Sequence, residues 1–98
     1  MIFEMLSEGA NNAITGKAIC EALNISPRDL TEAIERERRQ GKPIAASTGS
    51  SPGYFIAANK MEMQQYCDSL LHRAWEIRKT HRACKQTIPS LPEAVKYV

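Results

Sequence analysis

SPRDLTEAIERERRQ, residues 26–40, is the stretch from which the rest of the chain can be ordered. Ser26 is an N-cap residue whose hydroxyl can accept from the N–H of Asp29. Pro27 suits the first helical position, where a missing N–H costs nothing. Asp29 closes a capping-box-like pattern and sets negative charge on the positive helix end. Gly41 is a good stop, with Pro43 just beyond it. Leu30, Ala33 and Ile34 form an inner stripe, and Arg28, Glu32, Glu35 and Arg39 project from the opposite side.

The preceding segment also reads as a helix, Lys17 to Leu23, opened by Thr15 or Gly16. Ala18, Ile19, Ala22 and Leu23 are its expected inner residues. Asn24 and Ile25 then make a tight connection, so two helices meet across about three residues, which is helix-turn-helix spacing. Residues 2–8 carry Ile2, Phe3, Met5 and Leu6 and read as a first short helix. Gly9 to Asn12 reads as a turn, and Ala13-Ile14 as a short extended segment.

After Gly41 the pattern changes. Residues 43–46 read as a short strand, residues 47–53 as a loop by composition, and Tyr54-Phe55-Ile56 as the returning strand. Asn59 then caps a long helix, with Glu62 at the capping-box position and no clear stop before Thr87. Those 28 or so residues would run about 42 Å. Met63, Cys67, Leu70, Ala74, Ile77, His81, Cys84 and Ile88 recur at alternating steps of four and three, which is a heptad seam. Tyr66, Leu71 and Trp75 widen it in the first half, which is expected to cover the domain. A domain this small is narrower than the helix is long. The second half, Ile77 to Ile88, is therefore expected to overhang and to seek a partner. The expected class is mainly α with a small β-hairpin. Residues 1–58 are expected to form a winged helix-turn-helix domain, 59–88 the long helix for domain cover and dimerisation, and 89–98 a tail.

With 98 residues and a formal net charge of +2, the chain suits one small domain with a mixed surface. The charge is uneven: residues 1–25 carry −2, residues 26–59 carry +1 and residues 60–98 carry +3. No apolar run approaches the ~20 residues that span a bilayer, and the N-terminal residues do not read as a signal peptide. Three cysteines without a C-x-x-C pair fit free thiols in a reducing compartment, so a cytoplasmic location is expected.

Residues 14–57 resemble the winged helix-turn-helix of the biotin operon repressor and its relatives. The likeness rests on Ile25-Ser26, Arg28, Leu30, Ile34, Arg38, Gly41, Ile44 and Gly53-Tyr54. It implies a recognition helix over 26–40, a wing over the following hairpin and double-stranded DNA as partner. It implies no biotin chemistry. Glu37 departs from the pattern, standing where that family usually has a core Leu, and the wing loop holds no Lys or Arg. A looser likeness is to small DNA-binding proteins of phages and mobile elements.

The resulting DNA-contact set is Lys17, Ser26, Arg28, Thr31, Glu32, Arg36, Arg39, Thr48 and Ser50. Arginines can meet phosphates or guanine edges, Thr31 and Glu32 can reach base edges, and Lys17 stands where such folds clamp a phosphate. The competing reading is a solvated or protein-binding face, because Arg28 with Glu32, Glu32 with Arg36 and Glu35 with Arg39 all stand four apart and can pair within the helix. The dimerisation set is Leu70, Ala74, Ile77, His81, Cys84 and Ile88, and a homodimer is expected. The alternative is that Leu91, Val95 and Tyr97 of the tail fold back over that seam. Cys67, His72, His81 and Cys84 cannot meet from one straight helix, so no metal is expected. No nucleophile–base pair, phosphate loop or carboxylate pair stands in a plausible context, so neither enzyme activity nor a cofactor or small-molecule ligand is expected.

Overall fold

A computed structural model describes residues 1–48 and 52–94. The chain is mainly α with one small β-hairpin, in the order α1 (Gly16–Leu23), α2 (Pro27–Arg39), β1 (Ile44–Ser47), β2 (Gly53–Ile56) and α3 (Lys60–Thr87). Contacts divide it into two units, Met1–Cys67 and Asp68–Val98.

Capping fixes the first two helices. The Thr15 hydroxyl oxygen accepts from the N–H of Ala18 at 3.1 Å and opens α1. Asn24 closes it in the left-handed conformation at φ 53°. Ser26 Oγ accepts from the N–H of Asp29 at 3.0 Å, as the S-x-x-D pattern predicts. At the far end of α2, Gly41 takes φ 95°. The Gly41 N–H donates to Arg38 O and the Lys42 N–H to Glu37 O, which is a Schellman closure.

The core of the first unit gathers Ile2, Leu6, Ile19, Leu30, Ile34 and Ile44. Ile19 and the half-buried Cys20 are the inner side of α1, whereas Ala18, Ala22 and Leu23 are exposed. That helix is rotated relative to its expected apolar stripe, because one large side chain fills the site between α1 and α2. Residues 2–8 are not a helix. Phe3–Met5 makes a single 3-10 turn, and the chain then extends so that Ser7 O accepts from the Ile56 N–H and the Gly9 N–H donates to Ile56 O. Ile14 bridges Tyr54 by two backbone bonds of 2.8 and 2.9 Å. β2 thus pairs with β1 on one edge, in the register Ile44↔Ile56 to Ser47↔Gly53, and with residues 7–9 and 14 on the other. An unpaired strand edge is thereby covered by non-local backbone.

Glu37, which stands where the resembled family has a core Leu, is enclosed although it is an acid. It is buried, at 1% exposure. Its two carboxylate oxygens accept from the backbone N–H groups of Ile2 at 3.0 Å and Phe3 at 2.9 Å. A buried acid needs such donors, and here they tie the N-terminal segment to α2.

Ala45, Phe55 and Tyr66 form a smaller cluster with Met63 against it. Asn59 Oδ1 accepts from the Glu62 N–H at 2.9 Å and caps α3. The Glu62 carboxylate accepts from Ala58 N–H at 2.8 Å and Ala10 N–H at 3.1 Å, which joins the helix start to the 9–12 turn. Buried packing along α3 ends at Tyr66, and every residue from Cys67 to Ala94 is exposed. The covering segment is therefore shorter than its apolar pattern suggests. No helix of the described residues is long and apolar enough to cross a membrane.

Candidate nucleic-acid interface

The exposed side of α2 is positioned by three attachments on its buried side. Leu30 and Ile34 fill the core, Glu37 holds the N-terminal turn, and Arg38 reaches the hairpin. Arg38 Nε donates to Ile44 O at 2.8 Å, and its guanidinium lies 4.6 Å from the Tyr66 ring centroid and 5.9 Å from that of Tyr54. Its Nη2 is buried with no hydrogen-bond partner among the described residues, so the planar group is held by ring faces. Of the arginines in this helix, Arg38 is committed to the fold and Arg28, Arg36 and Arg39 are turned outward.

Gly53 fixes the hairpin relative to α1. It takes φ 132°, and a Cβ there would stand 2.3 Å from Ile14 O, so only glycine lets the two backbones meet. Tyr54 is thereby brought beside the N-terminal turns of both helices. Lys17, Cys20, Pro27, Leu30, Thr31 and Tyr54 line a groove of about 340 Å³ there. A second, shallower depression of about 480 Å³ lies along the later turns of α2, lined by Glu32, Glu35, Arg36, Arg39 and Gln40.

Each expected contact residue has a definite state. Ser26 Oγ accepts from the helix, leaving its O–H free to donate outward. Thr31 Oγ1 donates to Pro27 O at 3.1 Å, so its remaining capacity is as an acceptor. Arg28 Nε meets Glu32 Oε1 at 3.3 Å, with both side chains well exposed. Among the described residues the other two i,i+4 pairs, Glu32 with Arg36 and Glu35 with Arg39, do not close into ion pairs. Lys17, Arg36, Arg39 and Thr48 are exposed, and Ser50 lies outside the described residues. Tyr54 and Gln40 are absent from the contact set that the sequence suggests. The Gly53-Tyr54 pair is the available sign for Tyr54, but the groove beside it depends on the Ile14 bridge, which local spacing does not encode.

The chain's second unit carries the expected pairing set. Leu70, Ala74, Ile77, His81, Cys84 and Ile88 are all exposed, with Ile77 at 69% and Ile88 at 63%. Arg78 lies over the Trp75 ring at 5.3 Å. Leu91 is exposed as well, at 62%, so it does not cover the seam, while Val95 and Tyr97 lie outside the described residues.

Compared with known proteins, the chain matches no family model, and no curated protein or solved structure matches it either.

Proposed function

We propose that the chain is a winged-helix protein that binds double-stranded DNA through α2, acting as a homodimer. The reading rests on one observation above all: the outer face of α2 presents Arg28, Thr31, Arg36 and Arg39 to solvent directly after a three-residue turn, beside a hairpin pinned by Gly53. A helix held this way fits a major groove with its first turns toward the bases. The N–H groups at its start and the Ser26 hydroxyl suit a phosphate, with Lys17 across the groove as a second one. Arg28 exchanges an exposed intrahelical pair for a phosphate or guanine at small cost, because such pairs contribute at most ~1 kcal/mol. Glu32 and Glu35 reduce the attraction of a single copy, so two copies on one duplex give the affinity a specific site needs. The role fits a transcriptional regulator or a DNA-binding accessory of a phage-like element.

A protein-binding module is the second reading, and the same two glutamates favour it, as does an apolar seam exposed along α3. Fluorescence anisotropy with a labelled duplex separates the two. Arg28→Ala with Arg39→Ala should weaken binding about 10-fold or more, from the ~1–3 kcal/mol a good arginine contact contributes. Undiminished binding by the double variant removes α2 from the interface, and no binding by the native chain at low salt supports the module.

A further inference from the structure

The seam on α3 contains more than a preference for a partner; it contains a register. We infer that two copies pair through α3 in antiparallel orientation, with Cys67 of each opposite Cys84 of the other. The inference rests on the homodimer in the proposed function and is independent of DNA contact.

The occupant follows from exposure and charge. Every side chain from Cys67 to Ala94 is exposed, including Leu70, Leu71, Trp75 and Ile77. In proteins most helical stability comes from packing an apolar face; residues 67–87 are all exposed, and the heptad seam is their one continuous apolar feature. Charge is split along it. Within the paired span, residues 67–75 carry one basic and one acidic group, and residues 76–84 carry three basic and one acidic. Parallel pairing sets the basic halves against each other and places Arg73 beside Arg78 of the second copy on both flanks, since those positions face one another in a parallel coil. Antiparallel pairing sets each basic half against the other copy's opposite half.

Layer matching then selects the register. In an antiparallel coil each seam position meets a seam residue of the other type. One alignment gives the layers Cys67 with Cys84, Leu70 with His81 and Ala74 with Ile77, each occurring twice by symmetry. Small Ala74 receives large Ile77, which fills the layer. Along the flanks Arg78 then faces Leu71 and Arg73 faces Thr80, so no two cations oppose. Sliding by one heptad either way sets Arg78 opposite Arg78 or Arg73 opposite Arg73. Met63 stays with Phe55 and Tyr66 in the first unit's core, so the pairing begins at Cys67.

Within one copy, Cys67 and Cys84 stand about 26 Å apart along the helix and cannot bond to each other. Both are exposed free thiols, so serine there leaves the fold unperturbed. The test uses the full chain with Cys20→Ser, which removes the third thiol, and is run without DNA. Sedimentation should give twice the chain mass. Brief treatment with diamide should then yield a dimer on a non-reducing gel. Added Cys67→Ser or Cys84→Ser should abolish the cross-link in each variant alone, and mixing the two variants should restore it. A monomer at high concentration overturns the inference. So does cross-linking by either single variant alone, which marks a parallel pair, or a mixture that fails to cross-link. Failure to bind DNA with the cross-linking pattern intact would overturn the DNA reading and leave this one standing.

Discussion

Glu37 places a carboxyl group on the fully enclosed side of α2, beside Ile34 and Leu30. Both of its oxygens are occupied by backbone N–H groups of the N-terminal turn, so it acts as a remote cap for residues 2 and 3. Replacing it by the apolar residue of the family pattern, Glu37→Leu, strands these two donors. Unsatisfied buried donors cost about 1–3 kcal/mol, so chemical denaturation should show a loss in that range and proteolysis should begin at the N-terminus. An unchanged midpoint would mean that Ile2 and Leu6 hold the segment alone. Gly53→Ala should cost at least about 2 kcal/mol by the same measurement, since a strained backbone adds to a collision with Ile14 O. Residue chemistry of this kind was partly legible. An acid three residues past Ile34 and seven past Leu30 falls on the buried side of a helix and must find donors. The sequence alone cannot say that they come from residues 34 and 35 positions earlier.

The elements were most legible where capping chemistry is local. Thr15, Ser26, Gly41 and Asn59 each stand within a few residues of the groups they satisfy, and the starts of all three helices and the end of α2 follow from them. Ser26→Ala should accordingly lower stability by about 1 kcal/mol in the same denaturation experiment. Elements that depend on distant partners were not legible. Residues 2–8 have helical apolar spacing, yet the free edge of β2 takes the backbone of Ser7 and Gly9, and that pairing overrides local preference. The phase of α1 was hidden for a similar reason, because Ile19 alone enters the core and the alanines beside it serve as surface. In α3 the heptad was evident from spacing, but where burial stops was not; Tyr66 is the last packed residue. Ile77→Asp probes this helix directly. A charge placed in the seam should reduce the sedimentation mass to that of one chain while the denaturation midpoint of the first unit stays unchanged. A mass that remains doubled would move the pairing surface elsewhere.

For the whole molecule, the proposed function assigns a separate role to each unit. The first fixes the position of α2 through Glu37, Arg38 and the Gly53 contact, and the second offers an apolar seam with a one-sided charge. The candidate DNA face was legible as a set of residues on one helix, since the pattern of Arg28, Thr31, Arg36 and Arg39 is local. Its limits were not, because the groove beside Tyr54 requires the hairpin to close against Ile14. Under the proposed function, valence connects the two units: one α2 with nearly balanced charge should bind a duplex weakly, and two on one duplex should bind it well. The decisive test is the salt dependence of duplex binding by the native chain and by Arg28→Ala with Arg39→Ala. Affinity should fall steeply as salt rises from about 50 to 200 mM, and the double variant should lower the slope of log K against log salt by about 2 if both arginines meet phosphates. A native affinity that does not respond to salt, or a slope unchanged in the variant, contradicts DNA recognition by this helix.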